Sequence, residues 1–172
     1  MINQRQFISN AIIAIAFAII PNFLFADCKF EKIIQGKGQI VKLQDYPIEG
    51  KLGQFGEIFI RKVTVNGIST NFLTIGQVGN NAFIHHNDLN AVITSLEKLK
   101  NELVQDLAGE VTMIENKYVT DDNLKIGYMI NSKKEPNWFI ISRSFKYPMD
   151  KLNADNMISL FKLAKEMCLS IK

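Results

Sequence analysis

Side chains suited to metal binding and redox chemistry are scarce: the 172 residues contain two cysteines, Cys28 and Cys168, and two histidines, the adjacent pair His85-His86. No Cys-x-x-Cys and no His-Glu-x-x-His occurs. Neither a local dithiol nor a helix-borne zinc site can therefore be built, and no cofactor or metal is expected. The Gly-x-Ser-x-Gly nucleophile elbow is missing too. Charge of one sign is also lacking, since 20 basic residues face 17 acidic ones and the two are interspersed. Nucleic-acid affinity is dominated by phosphate neutralisation, so no nucleic-acid partner is expected. Long apolar runs are absent: the longest is Ala11–Ile20, ten residues, about half of the ~20 needed to span a bilayer.

That short run has the order of a secretory signal. Arg5 supplies a positive start, the apolar stretch follows, and Pro21-Asn22 and Leu24-Phe25-Ala26 end it with a small residue. Residues 1–26 are read as a cleavable signal peptide and residues 27–172 as one exported α+β domain, periplasmic or secreted, with no membrane association after cleavage. Removal takes away Arg5 and no acid, leaving 19 basic against 17 acidic side chains, a net +2. Asp27 before Cys28 argues against lipid attachment at that cysteine, where a small residue is wanted.

Export gives the two cysteines a compartment in which disulfides persist, and Cys28 and Cys168 are expected to pair. Closing a loop of over 100 residues removes about 5 kcal/mol of unfolded-state entropy in the chain model.

Between residues 27 and 56 the pattern is weak. Gln39–Leu43 reads as a short strand, and Gly50, Gly53 and Gly56 punctuate a loop without the strand and helix that a phosphate-binding turn requires. From Glu57 onward, strand formers run to Val65, Asn66-Gly67 is a strong two-residue hairpin signal, and Ile68–Ile75 returns as a second strand. The apolar parity shifts at Arg61-Lys62, which suggests a bulge or the exit of the strand from the core. Gly79-Asn80-Asn81 turns into a short segment, Ala82–His85. Leu89, Val92, Ile93, Leu96, Leu99, Leu103 and Leu107 then recur at helical spacing up to Gly109.

The same order returns after Gly109: strands over 111–120, 123–130 and 138–145, then a helix over 153–171 striped by Met157, Leu160, Phe161, Ala164 and Cys168. Asn71–Ile75 overlays Asn137–Ile141, and Ile58 and Ile60 overlay Leu124 and Ile126, at an offset of 66; the helices overlay at 68. The chain thus reads as an antiparallel meander followed by an amphipathic helix, repeated in tandem over about 57–108 and 111–172, each half closed by its helix. In element order alone this resembles the Whirly-type and transcriptional-coactivator single-strand-binding domains. The resemblance carries over no binding residue.

His85-His86 and Asp88 are the starting point for any metal or general-base chemistry, but neighbouring strand residues point to opposite faces. Glu110, Glu115, Asp121 and Asp122 are the carboxylates from which an acid/base pair would be drawn; Asp121-Asp122-Asn123 reads more simply as a turn. The aromatics concentrate in the second half. Tyr128 and Trp138 are the candidate binding residues, should their sheet face be open. These features favour a non-catalytic exported binding protein with a protein, small-molecule or glycan partner. An envelope-directed hydrolase with a scattered site, and a secreted inhibitor or host-directed factor, are the rivals.

Overall fold

The computed structural model describes residues 29–48, 57–77, 80–110, 112–142 and 153–172. Helix α1 (Lys29–Ile34) leads into β1 (Val41–Pro47), β2 (Glu57–Val65), β3 (Ile68–Gln77) and β4 (Asn80–His85). A 3-10 turn, His86–Asp88, opens α2 (Leu89–Ala108). Then follow β5 (Ile114–Val119), β6 (Lys125–Ile130), β7 (Pro136–Ile141) and α3 (Ala154–Ser170). All pairing is antiparallel, in two meanders ordered β1-β2-β3-β4 and β5-β6-β7. The protein is α+β, with two tandem sheet-then-helix units.

Local chemistry accounts for the first hairpin. Val65 pairs with Ile68 across Asn66-Gly67, and both turn residues have positive φ, 49° and 86°. This is the double left-handed turn that matches strand twist, and Asn and Gly are the residues that tolerate it.

Of the two expectations at Arg61-Lys62, the bulge does not form and the strand instead leaves the main core there. Register runs without interruption through Ile60↔Leu73, Arg61↔Phe72 and Lys62↔Asn71. The parity shift has another cause: β2 serves two cores. Ile58 and Ile60 face the main core, whereas Val63 and Val65 on the opposite face pack in a second cluster with Phe30, Phe72, Ile33 and Phe83. Helix α1, which the sequence pattern did not disclose, covers that second face. Its Phe30 ring stacks on Phe83 at 3.7 Å and meets Phe72 edge-on at 5.4 Å.

The two units also overlay differently from the sequence alignment. Ile60 pairs with Leu73, but Ile126 pairs with Ile140 rather than with Phe139, so β7 follows β3 at an offset of 67, not 66. A two-residue turn joins β2 to β3, while Asn131–Glu135 joins β6 to β7, and the longer connection absorbs the slip. One residue of slip exchanges the faces of a strand. Accordingly Trp138 and Ile140, not Phe139, join the main core.

Nor does each helix close its own half. The backbone of α2 comes closest to β5 and β6, that of α3 to β2 and β3, and the two helices pack on each other. Ion pairs Lys100–Asp155 (2.5 Å) and Lys162–Glu97 (2.8 Å) set them antiparallel. A single buried cluster results, drawing Ile60, Leu73 and Ile84 from the first sheet, Leu89 and Leu96 from α2, Ile126 and Tyr128 from the second sheet, and Phe161 from α3. Each unit supplies the helix that the other's sheet needs.

Cys168, on α3, is a buried free thiol among the described residues, and burial pushes its pKa up to about 11. It is therefore protonated at neutral pH and a poor nucleophile. Its expected partner Cys28, the signal segment and the Gly50–Gly56 loop lie outside the described residues.

Candidate functional site

Three polar or surface regions are available for function. The first is the junction where β3, β4, α1 and the β5–β6 turn meet. Asn87 N–H donates to His85 Nδ1 (3.3 Å), so the neutral ring carries its proton on Nε2, which donates to Thr70 Oγ1 (2.9 Å). The Asn71 carbonyl can only accept, so His86 Nδ1 carries a proton and donates to it at 3.2 Å. Both rings are fixed by the fold, one as the cap of the 3-10 turn and one as a brace on β3. Among the described residues, no group of three or more His, Cys, Asp or Glu side chains is placed to hold a metal ion.

Acidic side chains at this junction hold α1. Asp122 Oδ1 accepts from Lys29 N–H at 2.8 Å, the role of a helix-capping carboxylate. Lys29 Nζ sits 2.7 Å from Asp88 and 3.0 Å from Asp121. Asp121 and Asp122, considered above for acid/base work, form the expected turn and dock the first helix. Nearby, Asn71 Nδ2 donates to the carbonyls of Cys168 (2.7 Å) and Ile171 (3.2 Å), satisfying the open C-terminal end of α3.

Desolvation, with the neighbouring His86 charge, lowers the pKa of His85 below its ordinary 6.5; Asp88 opposes the shift. The unfolded chain then binds a proton that the folded one refuses. Stability contributed by neutral His85 is complete above pH 6.5 and is lost as pH falls below that value toward the depressed folded pKa. Thermal unfolding followed from pH 8 to pH 5 is expected to show a declining melting temperature, and the decline should be shallower in His85→Asn, which keeps a cap acceptor but does not titrate. Equal slopes would refute this role for His85.

The second region surrounds the expected binding pair. Tyr128 is 0% exposed and Trp138 4%, their rings meeting edge to face at 5.0 Å. Neither stands on an open face. The Tyr128 hydroxyl donates to Asp106 (2.5 Å) and accepts from Asn116 (3.2 Å), whose amide also reaches Glu102 (2.8 Å). Burial, reinforced by the bond to Asp106, pushes the phenol up to about 12. This network fastens α2 to β5 and β6, and the aromatics of the second sheet act as core.

The third region is the Asn66-Gly67 end of the first sheet, which sequence reasoning missed. Ile40 and Ile68 are each 80% exposed and Leu43 46%. All three lie toward the Asn66-Gly67 end of the sheet: Ile40 just before β1, Leu43 within it opposite Val63, and Ile68 at the start of β3 opposite Val65. Apolar groups in solvent are individually ordinary; three at one end of a sheet make that end a candidate contact surface. Toward the other end of β1, a cavity of about 370 Å³ is lined by Asp45, Pro47, Glu57, Ile58 and Phe59. Arg61 braces that end, with both guanidinium contacts on Asp45 (2.7 and 2.6 Å) and its charge 5.0 Å above the Phe59 ring.

No helix among the described residues is long and apolar enough to cross a membrane. Comparison of the chain with protein-family models, curated proteins and solved structures yields no match.

Proposed function

We propose that the protein is an exported, non-catalytic binding protein whose partner is another protein, and that the Asn66-Gly67 end of the first sheet is its contact surface. The observation that carries this is the exposure of Ile40, Leu43 and Ile68, 80%, 46% and 80%, at the same end of the first sheet. The histidines and acids of the junction are engaged in holding α1, β3 and the 3-10 turn together. The test is quantitative capture of envelope and culture-medium proteins on wild-type protein, on Ile40→Lys/Ile68→Lys, and on Leu169→Lys, a control at an exposed α3 residue. A specific partner should be retained by wild type and control and lost by the double variant. Retention by all three, or by none, would remove the assignment.

Export rests on the Ala11–Ile20 run, and with it goes a Cys28–Cys168 disulfide. The antiparallel α2/α3 packing brings Cys168 to the end of the helix pair where α2 begins. Lys29 is tied there too, through its 2.7 Å contact with Asp88. The two thiols would lose two electrons and two protons to the thiol-oxidising system of that compartment. Intact mass of native material alkylated without reduction should show an N-terminus at Asp27 and no alkylated cysteine. Met1 retained with two alkylated thiols would overturn both export and crosslink.

A further inference from the structure

The hydrogen bonds of β1 define a docking edge. Ile48 N–H donates to the Ile58 carbonyl and Asn66 N–H to that of Ile40, both at 3.1 Å. With the register Val41↔Val65 through Pro47↔Phe59, the even-numbered residues of β1 bond inward to β2. Val41, Leu43, Asp45 and Pro47 therefore turn their backbone groups outward. β1 is the edge of its sheet and has no second strand partner among the described residues. The outward groups offer three N–H donors and four carbonyl acceptors, and Pro47, which has no N–H, closes the row.

Side chains along this edge are graded in chemistry. Val41 and Leu43 give an apolar stretch on one face, and the same face continues to Asp45 and Pro47, where the 370 Å³ cavity opens with Glu57 and Phe59 in its wall. Both Asp45 oxygens are taken by Arg61. The Glu57 carboxylate has no hydrogen-bond or ion-pair partner among the described residues, so of the two acids lining the cavity it is the one without a described cation, beside the apolar Pro47, Ile58 and Phe59.

We infer that β1 accepts an antiparallel strand from a partner protein, apolar at alternate positions, whose N-terminal end places a lysine or arginine in the Asp45/Glu57 cavity. Backbone bonds supply the attachment and the alternate side chains supply selection. Leu43 faces an apolar residue of the incoming strand. The cationic stem lies against Phe59 and Ile58 with its charge at Glu57, as long basic side chains do when they pair an apolar stem with a polar tip. The inference rests on the binding-protein reading and names the partner's chemistry.

The test uses protein expressed from the full-length sequence and a labelled peptide, Lys-Thr-Val-Thr-Ile-Thr-Val, followed by fluorescence anisotropy. Saturable binding should weaken about fivefold when the peptide lysine becomes glutamate or when Glu57→Gln is used, the size of an exposed ion pair. Leu43→Pro should weaken it more than about tenfold while melting at nearly the wild-type temperature, because the amide it removes bonds nothing within the sheet. If that variant does not fold, Leu43→Glu tests the same position through its side chain. Hydrogen exchange gives the independent readout: the peptide should protect the amides of Val41, Leu43 and Asp45. Protection elsewhere, equal binding by Leu43→Pro, or no binding at all would overturn the inference. So would concentration-dependent dimerisation that Leu43→Pro abolishes without any peptide binding, since the occupant would then be a second copy. If the peptide fails while captured partners still depend on Ile40 and Ile68, the surface reading stands and only the strand-edge inference falls.

Discussion

Gly127→Ala is expected to be among the most damaging single substitutions in the chain, although it adds one methyl group. Gly127 lies in β6, between Lys117 of β5 and Phe139 of β7. A Cβ there would stand 2.1 Å from the Asn116 carbonyl oxygen and 2.7 Å from Lys117 Cα. Those obstacles are backbone, so no rotamer change relieves them, and β5 must move away from β6. Asn116 would go with it, loosening its bonds to Tyr128 and Glu102. Overpacking of this kind costs about 3 kcal/mol or more, and at this chain length the melting temperature should fall by roughly 10 °C. Near-UV circular dichroism should lose the signal of a fixed Tyr128–Trp138 pair. A melting temperature within a degree of wild type would show that the two strands do not approach this closely.

The parts of this fold that were legible in the sequence are those decided by neighbours along the chain. Asn66-Gly67 announces its turn because the left-handed conformations are a property of those two residues. The stripe Leu89, Val92, Ile93, Leu96 announces α2 because helical periodicity is local, and all four are buried. Failures occur where a distant contact decides. Helix α1 has six residues, too short to hold itself, and exists because Asp122 caps it and Phe83 and Phe72 receive Phe30. At Arg61-Lys62 the parity shift alone does not separate a bulge from an exit out of the core, because alternation refers to one core whereas β2 has a cluster on each face. In β7, Asn137-Trp138-Phe139-Ile140-Ile141 is apolar at both parities, so a one-residue shift leaves the pattern almost unchanged.

The candidate site was less legible still, for the same reason. Residue type alone points to Tyr128 and Trp138, but which sheet face an aromatic occupies depends on where the helices lie, and both rings belong to the core shared with α2 and α3. Leu43 falls in the segment that the sequence marks as a strand. Whether that strand is central or at an edge, and so whether its outward amides are open, is a property of sheet order. Glu57 likewise acquires meaning only when Pro47 is placed opposite Phe59.

The exchange of helices between the two units leads to the other large effect. Phe161 lies on α3, in the second unit by sequence, is fully buried, and belongs to the one cluster that includes Ile60 and Leu73 of the first sheet and Trp138 of the second. Phe161→Ala should cost about 3–5 kcal/mol, the lost transfer energy of the ring together with the cavity it leaves. The distinguishing feature is where that cost is felt. Trp138 is the chain's only tryptophan and reports on the second sheet, while far-UV circular dichroism reports on all elements. Because each sheet is covered by the other unit's helix, neither unit retains a complete core when the other opens. Both signals are therefore expected to shift together in Phe161→Ala, with coincident midpoints in urea as in wild type. Separate midpoints, with tryptophan emission unchanged while part of the dichroism is lost, would mean that the units fold independently and that the shared core does not couple them.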